Sequence, residues 1–202
     1  MKPFIRIGYK EFTQEKSAFN AAMSYTLKRA VTGNGKEISI DFNRALVSMG
    51  TLMPIFEGTT TQNEDKIYFN WQDNSGMGNA EDTDIAMLLV YNKNKETAVY
   101  DTEAALRSGC HAVLQLPADW QNDELIAYLS FCSADGNCVS NSVCLPISIY
   151  ETLENKEETP MEITDAVHEK KLLTQKIKFQ SHITIHSSPA PYDNLQTYRC
   201  ET

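Results

Sequence analysis

Between Asn70 and Asp84 the sequence reads NWQDNSGMGNAEDTD, which sets four carboxylates, Asp73, Glu81, Asp82 and Asp84, among asparagines and glycines. Oxygen ligands at this density suit a hard cation such as calcium. An EF-hand places carboxylate or amide ligands at alternate positions, then a glycine, then a distal glutamate. Here Ser75 stands where a ligand is required and Gly76 arrives two residues too early, so the EF-hand is excluded. What remains is an irregular site using Asp73, Asp82 and Asp84, the weak metal candidates of the chain. Two other readings compete with it. The stretch is a long connection between strands, with glycine and asparagine supplying positive φ and side-chain caps, or it is a recognition loop whose Asp73, Asn74, Asn79 and Glu81 meet a partner.

Other chemistry-bearing residues give less. Cys110 and His111 are neighbours, and on a strand they point to opposite faces, so they cannot share a proton there. His182 and His186 lie four apart; on a strand their Cβ atoms are roughly 13 Å apart at about 3.3 Å per residue, too far to chelate one ion as a pair. No Cys-x-x-Cys, His-Glu-x-x-His or Gly-x-Ser-x-Gly motif occurs. The five cysteines, Cys110, Cys132, Cys138, Cys144 and Cys200, are an odd set that fits reduced thiols. A two-residue Asp135-Gly136 turn sets Cys132 opposite Val139 and Cys144 opposite Ala127, a register that yields no disulfide. No catalytic residue is assigned, no cofactor is expected, and the chain is not expected to be an enzyme.

Composition bounds the partners. Of 202 residues, 42% are hydrophobic and 22% charged, enough for a packed core. The net charge is −9, which argues against nucleic acid, since phosphate binding needs a cationic face. The charge is unevenly spread: residues 1–36 carry seven Lys/Arg against two Asp/Glu, whereas residues 37–150 carry five against sixteen. No run of about 18 apolar residues exists to span a membrane. The first residues, MKPFIRIGYKEF, lack the apolar core of a secretory signal, so a cytoplasmic location is expected, or one in a virion or other assembly.

The elements that must position these residues fall into three parts. In the first, residues 1–36, the spacing of Phe12, Phe19, Met23, Leu27 and Ala30 predicts an amphipathic helix over 12–31, stopped by Gly33-Asn34-Gly35. Its apolar face, Phe19, Met23 and Leu27, must find cover on a sheet downstream or on another subunit. Residues 37–146 read as short strands at 38–42, 45–49, 66–72, 85–92, 97–100, 111–116, 125–133 and 138–145, the last two joined by Ala134-Asp135-Gly136-Asn137. Residues 147–202 read as a charged linker at 151–158, a helix over 160–178 opened by the capping box Thr159-Pro160-Met161-Glu162, a strand at 181–188 and a disordered end.

Several of these blocks together, PFIRIGYKEF, SAFNAAMSYTLKRAVTG, LVSMG, FNWQDNSGMGNAEDTDIAMLLVYN and AYLSFCSADGNCVSNSVCL, resemble a Bacteroidetes family known as domain of unknown function family 6266, over about residues 3–146. The resemblance implies no activity. Members usually begin with a further Gly- and Lys-containing segment and end soon after the SNSV strand. This chain starts at the PF-IRIGY block and continues past that strand, which implies an alternative or shortened start and leaves 151–202 without support from the family. The strand pattern is separately similar to an immunoglobulin-like, fibronectin type III-like antiparallel β-sandwich, with Trp71 as a core aromatic and Tyr128 as a tyrosine corner. The expected fold is therefore mainly β with an N-terminal helix. The expected function is a non-enzymatic binding or structural module working through sandwich loops or a sheet edge. The alternative is a subunit of a larger assembly, a phage or surface structure, held through the N-terminal helix by a protein partner or self-association.

Overall fold

The computed structural model describes residues 1–13, 17–35 and 37–149. The readings of a linker, helix, strand and disordered end after residue 150 lie outside the described residues. Residues Met1–Glu151 form one compact unit, so the N-terminal piece belongs with the strands that follow it.

The unit is mainly β. It contains α1 (Lys2–Gly8), α2 (Ala18–Arg29), β1 (Val31–Thr32), β2 (Ser39–Ile40), β3 (Gly58–Asn63), β4 (Lys66–Trp71), β5 (Ile85–Asn92), β6 (Thr97–Leu106), β7 (His111–Gln115), β8 (Leu125–Cys132), β9 (Val143–Leu145) and β10 (Ile147–Ile149). One four-stranded sheet has the order β10-β3-β4-β7 and the other β6-β5-β8-β9; β1 and β2 form a separate ribbon. All pairings within the four-stranded sheets are antiparallel except β10 on β3. The strand at β10 lies beyond residue 146, where the sequence reading ended the sheet region.

The two sheets share a core. Ile67, Phe69 and Trp71 of β4 and Leu114 of β7 meet Leu88 and Val90 of β5 and Leu129 and Phe131 of β8. Trp71 is a core aromatic, edge-on to Phe131 at 5.8 Å between ring centres. A second core covers the outer face of the β6-β5-β8-β9 sheet. There Phe4, Ile5 and Tyr9 of the N-terminal segment pack with Ala18 and Ala22 of α2 on Met87, Leu89 and Tyr128. Strand β5 is thus buried on both faces, which is why IAMLLVYN is an unbroken apolar run rather than an alternating one.

Three sequence expectations change here. The helix expected over 12–31 is shorter, α2 starting at the Ser17 cap, whose hydroxyl accepts from Asn20 N, and a further helix, α1, precedes it with Pro3 in its first turn. The Phe19–Met23–Leu27 stripe does not pack on the sheet; these side chains are 51%, 45% and 62% exposed. Ala18 and Ala22 make the contact, because small side chains let α2 approach closely, and the large ones are left at the rim. Ala45–Met49 is not a strand. The segment is held by irregular bonds: Val47 N donates to Ser142 Oγ, Ser142 N to Ser48 O, the Ser48 hydroxyl to Ser140 O, and Met49 N to Gly8 O.

The register of the last hairpin also differs from the expected one. Cys132 does face Val139, but Cys144 pairs with Tyr128 and Leu145 with Ala127. Ser142 turns out of the ladder to hold the Val47–Ser48 backbone, and this extra residue shifts the pairing by one. Cys144 therefore lies on the outer face. Cys110, Cys132, Cys138 and Cys144 are free thiols. Tyr128 is no tyrosine corner: its hydroxyl donates to Phe42 O at 2.8 Å, far upstream in the chain. Tyr9 makes the equivalent bond to Leu46 O at 2.9 Å, so two phenols pin the same segment from helix side and sheet side. Glu11 closes the arrangement. Its carboxylate accepts from Val139 N at 2.8 Å and from Thr51 N and Oγ1.

Candidate functional site: an acidic loop and an apolar groove

The 70–84 segment leads from the end of β4 into β5, and two of its polar side chains, Asn74 and Asp84, are buried. Asp84 is 1% exposed and accepts a charge-assisted bond from Nε of Arg107, itself fully buried, at 3.0 Å. Arg107 Nη1 donates to Asn74 Oδ1 at 2.6 Å and Nη2 to Met53 O at 2.9 Å. Its guanidinium lies 3.8 Å from the centre of the Phe131 ring, and Trp71 Nε1 donates to its carbonyl at 2.7 Å. Burial pulls the guanidinium below its usual pKa range, and the Asp84 charge opposes that. Each nitrogen of the guanidinium thus donates to a structural partner.

Asn79, expected as a recognition residue, also closes the loop. It accepts from Met53 N at 2.8 Å and donates to Thr51 O at 3.1 Å. Asn74, with Nδ2 on Pro54 O, is buried. Of the candidate loop residues, Asp73, Asn79, Glu81 and Asp82 remain on the surface. Asp73 accepts from the Ser75 hydroxyl and amide, which hold its pKa below the ordinary carboxylate value. Asp73, Asp82 and Asp84 do not converge, and no cluster of three His, Cys, Asp or Glu able to hold a metal exists among the described residues. The physical reason is the ion pair: Asp84 turns inward to Arg107.

The Cys110–His111 pair is likewise separated. Cys110 takes a left-handed conformation, φ 61°, at the end of a short helical turn, and its thiol leans on Ser108 O. His111 Nδ1 contacts Gly109 O at 2.8 Å.

A concave feature lies elsewhere. Between α1, α2, the β2 ribbon and the outer face of β5 and β8 there is an apolar groove of about 340 Å³. Leu89, Tyr91 and Tyr128 line it from the sheet, Phe19 and Met23 from α2, and Ile40 from β2. Lys2 is its one charged lining residue. An adjoining hollow shares Lys2 and Phe19 and adds Arg6. The apolar surface continues past the groove. Leu27 lies one turn beyond Met23, and Ile38, 64% exposed, is two residues before Ile40 in the chain. Sequence spacing located Phe19, Met23 and Leu27. It missed the groove, which depends on α1 and β2 flanking α2.

A helix layer over a two-sheet β unit, with an apolar groove where they meet, defines a mainly β protein with a concave apolar surface. The chain belongs to the Family of unknown function (DUF6266), whose profile matches residues 1–146. No curated protein matches the sequence. Among the described residues, no helix is long and apolar enough to cross a membrane.

Proposed function

We propose that the chain is a non-enzymatic protein-binding module of fibronectin type III-like build that docks a partner through the apolar groove beside α2. One observation carries this reading: Phe19, Met23, Leu27, Ile38 and Ile40 are each more than 40% exposed on the helix side of the unit. Soluble chains rarely leave contiguous apolar surface of this kind uncovered unless a partner covers it. A small ligand would fill the groove and leave Leu27 and Ile38 wet, so a macromolecular partner fits better.

The fold assignment rests on strand order. The third, fourth and seventh strands share one sheet; the fifth, sixth, eighth and ninth form the other. Counting from β3, the fourth strand pairs with the third, as a C′ strand does, instead of joining the first sheet. The non-enzymatic reading is supported by the direction of the buried polar groups around Arg107, which end on backbone carbonyls and structural side chains.

The test is photo-crosslinking in living cells from a benzophenone side chain at position 23, with a control at position 103 on β6, where Glu103 is exposed. An adduct at 23 and none at 103 is expected. Equal labelling at the two positions, or none at 23, would refute the groove as the docking surface.

A further inference from the structure

Resting on the groove as the docking surface, we infer that its occupant is the Asp73–Asp82 loop of a second copy of this chain, and that copies associate head to tail. The charge pattern supports it first. Lys2 and Arg6 border the groove and its adjoining hollow, and among the described residues neither has an ion-pair partner. Asp73, Glu81 and Asp82 stand exposed on the loop with no ion-pair partner either. Each set lacks what the other carries.

Shape supports it second. The loop is not a floppy acidic tail. Gly76 N bonds Ala80 O, Met77 N bonds Asn74 O and Ala80 N bonds Met77 O, so Met77 sits at the tip of a tight double turn. Asn74 and Asn79 tie the base of that turn to Arg107 and to the 51–53 backbone. The result is a preformed knob with a 48% exposed methionine at its tip and carboxylates around it. Rigidity of this kind lowers the ordering cost of association, and methionine adapts its shape to an irregular apolar cleft.

Placement supports it third, and fixes the symmetry. The loop enters β5 at Asp84, whereas the groove lies on the outer face around Leu89 and Tyr91, toward the other end of that strand. The separation along the strand from Asp84 is roughly 17 Å to Leu89 and roughly 23 Å to Tyr91, at about 3.3 Å per residue. A loop held at one end cannot fold back into the groove of its own chain. Two grooves face to face would oppose like charges. The remaining contact is heterologous, groove to loop, which propagates into a ring or a filament.

The experiment is sedimentation of the full chain over about 1 µM to about 500 µM, a range that brackets weak to moderate interfaces, with Met77→Arg, Met23→Glu and Phe19→Glu variants. All three positions are exposed, and a melting curve establishes that each variant is folded. The wild-type mass should rise at least twofold above the 22.8 kDa protomer, and the rise should shrink in about 0.5 M salt, where exposed charges are screened. Each variant alone should stay monomeric. Met77→Arg mixed with Met23→Glu or with Phe19→Glu should give dimers and nothing larger, because only one competent groove and one competent loop meet. A wild type that stays at the protomer mass overturns the proposal, while crosslinking from position 23 to a different protein would leave the groove reading standing. Association that Met77→Arg leaves intact, or a mixture that stays monomeric, overturns the loop as occupant.

Discussion

Asp84→Asn is the most informative single substitution in the interior. It keeps the shape of the side chain and leaves an oxygen to accept from Arg107 Nε and from Glu81 N. What it removes is the negative charge beside a guanidinium that has no exposure to water. Asp84 Oδ1 has no hydrogen-bond partner among the described residues, so the new amide nitrogen breaks no existing bond there. Breaking a buried pair by neutralising one partner costs about 3–5 kcal/mol, because the other charge is left uncompensated. With a urea m value of about 2 kcal/mol/M for a unit of this size, the unfolding midpoint should fall by roughly 1.5–2.5 M. Arg107→Met alone should cost at least as much, since it strands the Asp84 carboxylate together with Asn74 Oδ1 and Met53 O. The double variant should lose less than the sum of the two, a coupling measurable as a double-mutant cycle by circular dichroism at pH 7. A midpoint shift below about 0.3 M for Asp84→Asn, or strictly additive losses, would mean the pair is not an electrostatic unit and that the loop is held by packing alone.

The phenols of Tyr9 and Tyr128 are both raised well above the ordinary tyrosine value, mainly by burial. Below about pH 10 the phenol is neutral whether the chain is folded or not; above it the unfolded chain ionises first, so stability falls with rising pH. Alkaline titration followed at 295 nm should show these two tyrosines ionising with unfolding, and Tyr9→Phe/Tyr128→Phe should flatten that decline while costing about 1 kcal/mol per lost bond at neutral pH. Gly8→Ala should destabilise despite improving helix propensity, because the added Cβ would sit 2.6 Å from Val47 O, a backbone atom; a loss of about 1–3 kcal/mol is expected in urea unfolding, and a gain would refute the close approach. Calcium at millimolar concentration should leave the melting temperature unchanged, since Asp73, Asp82 and Asp84 do not share a site; a rise would show an ion bound to the folded state.

Much of the β architecture was legible because its strands carry apolar residues at distinct periods. Lys66–Trp71 alternates and the run from Ile85 is continuous, so both announce strands. Gly58–Asn63 was silent because it reads GTTTQN: only Thr60 is buried, and its hydroxyl donates to Pro146 O. The β9 register could not be read because Ser142 leaves the ladder to serve a segment nearly a hundred residues upstream, and nothing local marks that. Arg107 was missed as a lone basic residue in a strand-end loop. A signal did exist: Ile85 pairs with Leu106 across β5 and β6, which sets Asp84 and Arg107 at neighbouring positions once the hairpin register is known. The helix periodicity was real, but spacing says which residues share a face, not whether that face is covered, and here the small alanines took the buried side.

The bond from Val139 N to Glu11 spans 128 positions, and it has a consequence for how the chain is made. The N-terminal helix leaves the ribosome first, yet the surface it must cover is built from β5, β8 and β9 and exists only after nearly the whole unit has been synthesised. At about 5–20 residues per second, that leaves Phe4, Ile5 and Tyr9 waiting for roughly 7–27 s without a resting place. Contacts of such sequence separation slow folding and make the last step nearly all-or-none. Nascent chains arrested before Val143 should therefore be protease-sensitive throughout, including at the helix, and should engage chaperones through the same apolar residues that later close the second core.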